Sequence, residues 1–252
     1  MENKEVLFDY VLRIADNALI LGHRVSELCG HGPSLETDIG LTNIALDLVG
    51  HARVLLQYAA DVEGKGRTDD DLAFLRDIRE FKNVLLVEQP NGNFANTIAR
   101  QFLFDTFNYH FFAALTNSKD ENLVAIAKKS IKEVTYHYRY SAEWVIRLGD
   151  GTEESHEKMQ SALNEIWDYA GEMFIADEVD KQMLAEGIGV DLNAIKALWE
   201  ERVTAILKEA TLDKPEDGWI QKGGKQGKHT EQMGFVLAEI QWMQRAYPGM
   251  EW

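Results

Sequence analysis

The chain has 252 residues, 45% of them hydrophobic, and 26 basic against 42 acidic side chains give a formal net charge of −16. This composition fits a packed globular protein and excludes disorder, and the acidic balance repels a phosphate backbone, so no nucleic-acid partner is expected. The longest apolar runs, such as Phe111–Leu115, fall far short of the ~20 residues that cross a bilayer, MENKEVLFDY has no signal-peptide pattern, and the single Cys29 cannot form an internal disulfide, so a cytoplasmic chain with no membrane contact and an idle thiol is expected.

Only Pro33, Pro90, Pro215 and Pro248 interrupt the chain. Proline costs ~3 kcal/mol inside a helix, so the long proline-free spans predict helices. No alternating strand pattern with hairpin turns occurs, and the expected class is all-α. The first helix runs from about Glu5 to Leu28 on a seam of Leu7, Val11, Ile14, Ala18, Leu21, Val25 and Leu28, with Asp16 off that line. Gly30 and Pro33 end it, and Ser34 caps a second helix to about Val62. The inward stripe of that helix is Gly40, Ile44, Asp47, His51, Leu55 and Tyr58. A shorter, charged helix is expected from Asp69 to Phe81. Pro90-Asn91-Gly92-Asn93 then turns the chain, and Asn93 caps a fourth helix over Phe94–Thr116 whose stripe includes Asp105.

The fifth helix, Asp120 to Leu148, carries two adjacent apolar lines, and one of them contains Glu133 and His137. Such a broad apolar surface marks a central helix. Thr152 starts a sixth, and Asp191 caps a seventh. Lys214–Lys228 lacks periodicity and reads as a loop, and a last helix spans about Thr230 to Arg245. The first, second, fourth and fifth helices predict a four-helix core, with the rest packed around it in a single domain over residues 1–252.

Together the stripes offer Asp47, His51, Asp105, Glu133 and His137. Carboxylates and histidines facing into a bundle are what a di-iron carboxylate site uses, through Glu-x-x-His pairs three residues apart. Here the third residue after Asp47 is Gly50, and the third after Glu133 is Tyr136; the histidines come four after instead. The incomplete ligand set favours a buried polar cluster over a metal site, with Arg53, Lys132 or Arg139 as neutralising partners. The one literal Glu-x-x-His, Glu153–His156, lies at a solvated helix start. A self-sufficient di-metal oxidase built on the five stripe residues is the alternative.

QKGGKQGKHTE, Gln221–Glu231, suggests a phosphate loop but misses the Walker spacing, and His229 stands where Ser or Thr belongs. Lys225, Lys228 and His229 remain a candidate contact for an anion, such as a nucleotide or CoA, or for a partner. The competing reading is a flexible cationic loop.

Four stretches carry a broader resemblance: CGHGPSLETDIGLTNIALDLVGHAR, LLVEQPNGNFANTIARQF, IKEVTYHYRYSAEWVIRLGDGT and GGKQGKHTEQMGFVLAEIQWMQRAYPG. Across essentially the whole chain they resemble the C-subunit family of bacterial phenylacetyl-CoA epoxidases. The resemblance implies a ferritin-like helical bundle and a structural, non-catalytic relative of the di-iron A subunit, to which it would bind. It places the iron and the phenylacetyl-CoA in that A subunit, which with smaller subunits and a reductase epoxidises the ring in aerobic phenylacetate catabolism. No cofactor and no catalytic residue is expected in this chain, because Gly50 and Tyr136 break the metal pattern. On its own the chain could form a homo-oligomer.

Overall fold

In chain order the helices of the computed structural model, which describes residues 3–250, are α1 (Asn3–Ser26), α2 (Leu35–Glu63), α3 (Asp69–Phe74), α4 (Phe94–Leu115), α5 (Glu121–Gly149), α6 (Glu153–Ala170), α7 (Glu178–Glu186), α8 (Leu192–Glu209), α9 (Glu231–Ile240) and α10 (Trp242–Ala246). No strand forms among the described residues, and the all-α expectation holds. Caps set the helix ends as the sequence predicts. The side chains of Ser34, Asn93, Thr152 and Asp191 each accept a backbone N–H from the first turn that follows. Gly64 closes α2 at φ +67°.

Internal packing gathers the residues into two units, one of residues 1–90 with 222–252 and the other of Asn91–Gln221. The first is built on α1 and α2, which pack along their lengths. Gly22 lets them close: a Cβ there would lie 3.1–3.3 Å from Leu48 and Val49. α2 has the length and apolar composition of a membrane span, which the short uninterrupted runs did not reveal, but half of that window is buried inside the protein.

The predicted third helix stops early, at Phe74 rather than Phe81, for an electrostatic reason. Asp16 is fully buried on a second face of α1. Arg76 turns inward to pair with both of its oxygens, and the Lys82 N–H donates to it at 2.8 Å. A continuous helix could not deliver both groups to one carboxylate. The predicted last helix also divides, at Gln241, whose side-chain amide donates to the Arg76 carbonyl at 2.9 Å. The Gly-rich segment before α9 lies on the backbone of residues 79–83: a Cβ on Gly224 would sit 2.0 Å from the Asn83 carbonyl oxygen, and one on Gly227 2.1 Å from that of Arg79.

In the second unit α4 and α5 form an antiparallel pair, pinned by Phe94 against Trp144 (5.1 Å between ring centroids) near one end and Tyr109 against Tyr138 (5.7 Å) nearer the other. α4 is buried on nearly every side. α6 and α8 cover it, and the Trp199 indole donates to the Leu103 carbonyl at 2.8 Å. The sequence reading passes over α7, because this short helix buries only Val179, Asp180 and Met183 and shows little periodicity.

Candidate functional site

On the α4–α5 pair the two central polar residues are Asp105 and His137, both fully or almost fully buried. Each occupies a position where helical spacing demands an inward side chain. Neither oxygen of Asp105 has a hydrogen-bond partner among the described residues. The nearby Ser141 hydroxyl donates instead to the His137 carbonyl at 3.0 Å. Burial pushes the Asp105 carboxyl up to about 6, against the opposing pull of His137, the nearby Ser141 hydroxyl and Arg100. Arg100 is itself fully buried and donates to the Asn91 side chain at 2.7 Å.

The expected neutralising cations are elsewhere. The Arg53 side chain is 80% exposed and faces Asp69 at 3.5 Å. Lys132 and Arg139 point to solvent. Arg100 was missed because it falls on α4 among aromatic residues, where no single stripe distinguishes inside from outside.

On α2, His51 is buried and Asp47 is half-buried, as is Glu133 on α5. The expected cluster therefore needs correction at Tyr136, which is 45% exposed. Gly50 is exposed too, and a Cβ added there meets nothing within 4 Å. Both positions three after a carboxylate therefore face solvent, while both positions four after are buried. A histidine at Gly50 or Tyr136 would point away from its carboxylate's inward face. Among the described residues no three His, Cys, Asp or Glu side chains come together as a metal site. Gly50 and Tyr136 do not supply the Glu-x-x-His pairs of a di-iron carboxylate centre. Glu153–His156 is structural: the His156 ring hydrogen-bonds the Gly149 carbonyl at 2.7 Å, at the end of α5. Cys29 is exposed.

The loop residues Lys225, Lys228 and His229 do not converge. Lys225 is buried and Lys228 is exposed. His229 is not open to an anion, because its side chain is 1% exposed and both ring nitrogens are engaged, Nδ1 with Glu88 at 2.8 Å and Nε2 with the Phe81 carbonyl at 3.0 Å. The flexible-loop reading fails for the same reason. Glu88 is fully buried. It also accepts from the Thr230 backbone N–H (2.7 Å), the Thr230 hydroxyl (2.8 Å) and Asn83 (3.0 Å). The phosphate-loop resemblance thus arises from a segment whose glycines permit close backbone packing and whose histidine neutralises an internal carboxylate. Glu88 escaped the sequence reading, since nothing local marks it as internal.

The match to known proteins covers the chain end to end. A sequence model of the phenylacetic acid catabolic protein family matches residues 1–252. The C subunit of the 1,2-phenylacetyl-CoA epoxidase of Escherichia coli (strain K12) is 51% identical over 243 residues, which are 96% of this chain and 98% of that relative.

Proposed function

Because the chain belongs to the phenylacetic acid catabolic protein family, we propose that it is the structural, non-catalytic subunit of a multicomponent phenylacetyl-CoA epoxidase in aerobic phenylacetate catabolism. It binds the di-iron catalytic subunit and, through it, the smaller subunits and the reductase, in the cytoplasm. The observation that carries this reading is the outward direction of Gly50 and Tyr136. It leaves the long helices with the frame of a metal protein and without the ligand pairs that would hold the metals. A chain of this kind supplies rigid, preorganised surface, which lowers the ordering cost of assembly.

Two measurements test this. Metal analysis of the purified chain should find far less than one iron per chain; stoichiometric iron that disappears in Asp47→Ala or Glu133→Ala would mean the chain is a self-sufficient di-metal oxidase. Co-expression with the catalytic subunit should give a complex that survives size exclusion, and epoxidation should require both chains.

A further inference from the structure

The outer side of α5 carries Lys128, Lys129, Lys132, Tyr136 and Arg139, all exposed. Positions 128, 132, 136 and 139 follow the four-and-three spacing of one helix face, and they cover about 17 Å along the axis at the usual rise. None of the four cations has an ion pair among the described residues. Three helix lysines elsewhere pair with an acid about one turn away: Lys158 with Glu154, Lys181 with Glu178, Lys196 with Glu200. On α5 no acid lies three or four residues from Lys128 or Lys132; Glu133 lies four after Lys129 without an ion pair to it, and Glu143, four after Arg139, pairs with Arg147 instead. The lysines repel one another on a helix surface, in a chain with acids to spare. Tyr136 stands among them, an exposed aromatic of the kind that anchors protein interfaces.

We propose that this face of α5 docks an acidic surface of a protein partner; the inference rests on reading the chain as a subunit of a larger assembly. Charge complementarity selects the partner. A nucleic acid or an anionic bilayer would extend beyond a stripe this short and meet a surface with a large negative excess. A folded acidic partner can confine its carboxylates to the stripe.

The test uses the full-length chain, immobilised, with each of the other purified epoxidase subunits as analyte at low and high salt. The variants are K128E/K129E/K132E, the milder K128Q/K129Q/K132Q should the reversal fail to fold, and Tyr136→Ala. One acidic subunit should lose about tenfold or more in affinity on charge reversal, less on neutralisation or at Tyr136→Ala, and its wild-type binding should weaken as salt rises. If every subunit binds the variants as tightly as the wild type, the inference is overturned. Lysine-dependent binding of duplex DNA or phosphatidylserine vesicles in place of a protein overturns it too. If no subunit binds the wild type at all, the subunit reading has failed, and poly-L-glutamate decides the stripe: capture lost on charge reversal upholds acidic docking, and no capture ends it.

Discussion

At the scale of single residues, the His229–Glu88 contact has a defined protonation state. Both ring nitrogens face acceptors, and only the imidazolium can donate to both. Burial opposes that charge, but the hydrogen bond and charge of Glu88 and the Phe81 carbonyl outweigh it, so the His229 pKa is raised. The stabilisation is therefore complete below the ordinary histidine pKa of about 6.5 and is lost as pH rises through the elevated value. Urea unfolding from pH 6 to pH 9 should show this loss in the wild type and a flatter profile in His229→Gln. Glu88→Gln should cost about 3 kcal/mol or more, because it breaks a buried ion pair. Asp105 has the same sign of pH dependence from the opposite cause, since there the fold favours the neutral form. With its carboxyl raised from 3.8 to about 6, the protonated form favours the fold, and stability present below pH 3.8 declines as pH climbs through 6. Stability measured against pH should increasingly favour Asp105→Asn over the wild type between about pH 4 and pH 6 and level off above that, by an amount on the order of 2–3 kcal/mol at the plateau. A difference that does not change with pH would show that Asp105 is not held this way.

At the scale of elements, glycine separates close packing from open surface. Gly224→Ala would drive a methyl group into the Asn83 carbonyl. It should lower the melting temperature sharply, by roughly 10 °C if the displaced loop costs about 2–3 kcal/mol. Gly50→Ala, mid-helix and facing open space, should stabilise the isolated chain by about 0.5–1 kcal/mol through helix propensity. Thermal melts of the two variants compare them directly. The long helices were legible because capping residues and apolar periodicity agree at Ser34, Asn93 and Thr152. Their exact inward arcs were less so. On α5 the two apolar lines correctly bracket a buried arc through Ala127, Val134, His137 and Val145. Glu133 lies on its rim, and Tyr136, set beside His137 by one step in sequence, lies outside it. Sequence periodicity resolves a helix face to about one residue, and the metal question turns on just that step.

At the scale of the whole molecule, what stayed hidden was long-range. Arg76 reaches Asp16 across 60 residues and Glu88 meets His229 across 141. Neither partner carries a local signal, since a charge reads as surface until its counter-charge is placed. Those two contacts explain the early stop of α3 and the order in the Gly-rich loop. The Glu88–His229 contact also ties residues 222–250 to the unit that holds α1 and α2. A chain ending at Gln221 would leave the Glu88 carboxylate without His229 and Thr230. Its melting temperature should fall by more than 10 °C, or the product should be insoluble, as read by scanning calorimetry of the soluble fraction.

The Glu88–His229 link has a temporal side as well. Ribosomes add roughly 5–20 residues each second, so the 141 residues between the partners take on the order of ten seconds to make. Throughout that interval Glu88 exists and its histidine does not. Asn91–Gln221 has all its own residues before Lys222 is added, whereas the unit that holds the first helix must wait for the last. Glu88 is made before Asn91–Gln221 yet gains its partner only after that segment, and during that wait water must solvate a carboxylate destined for the interior.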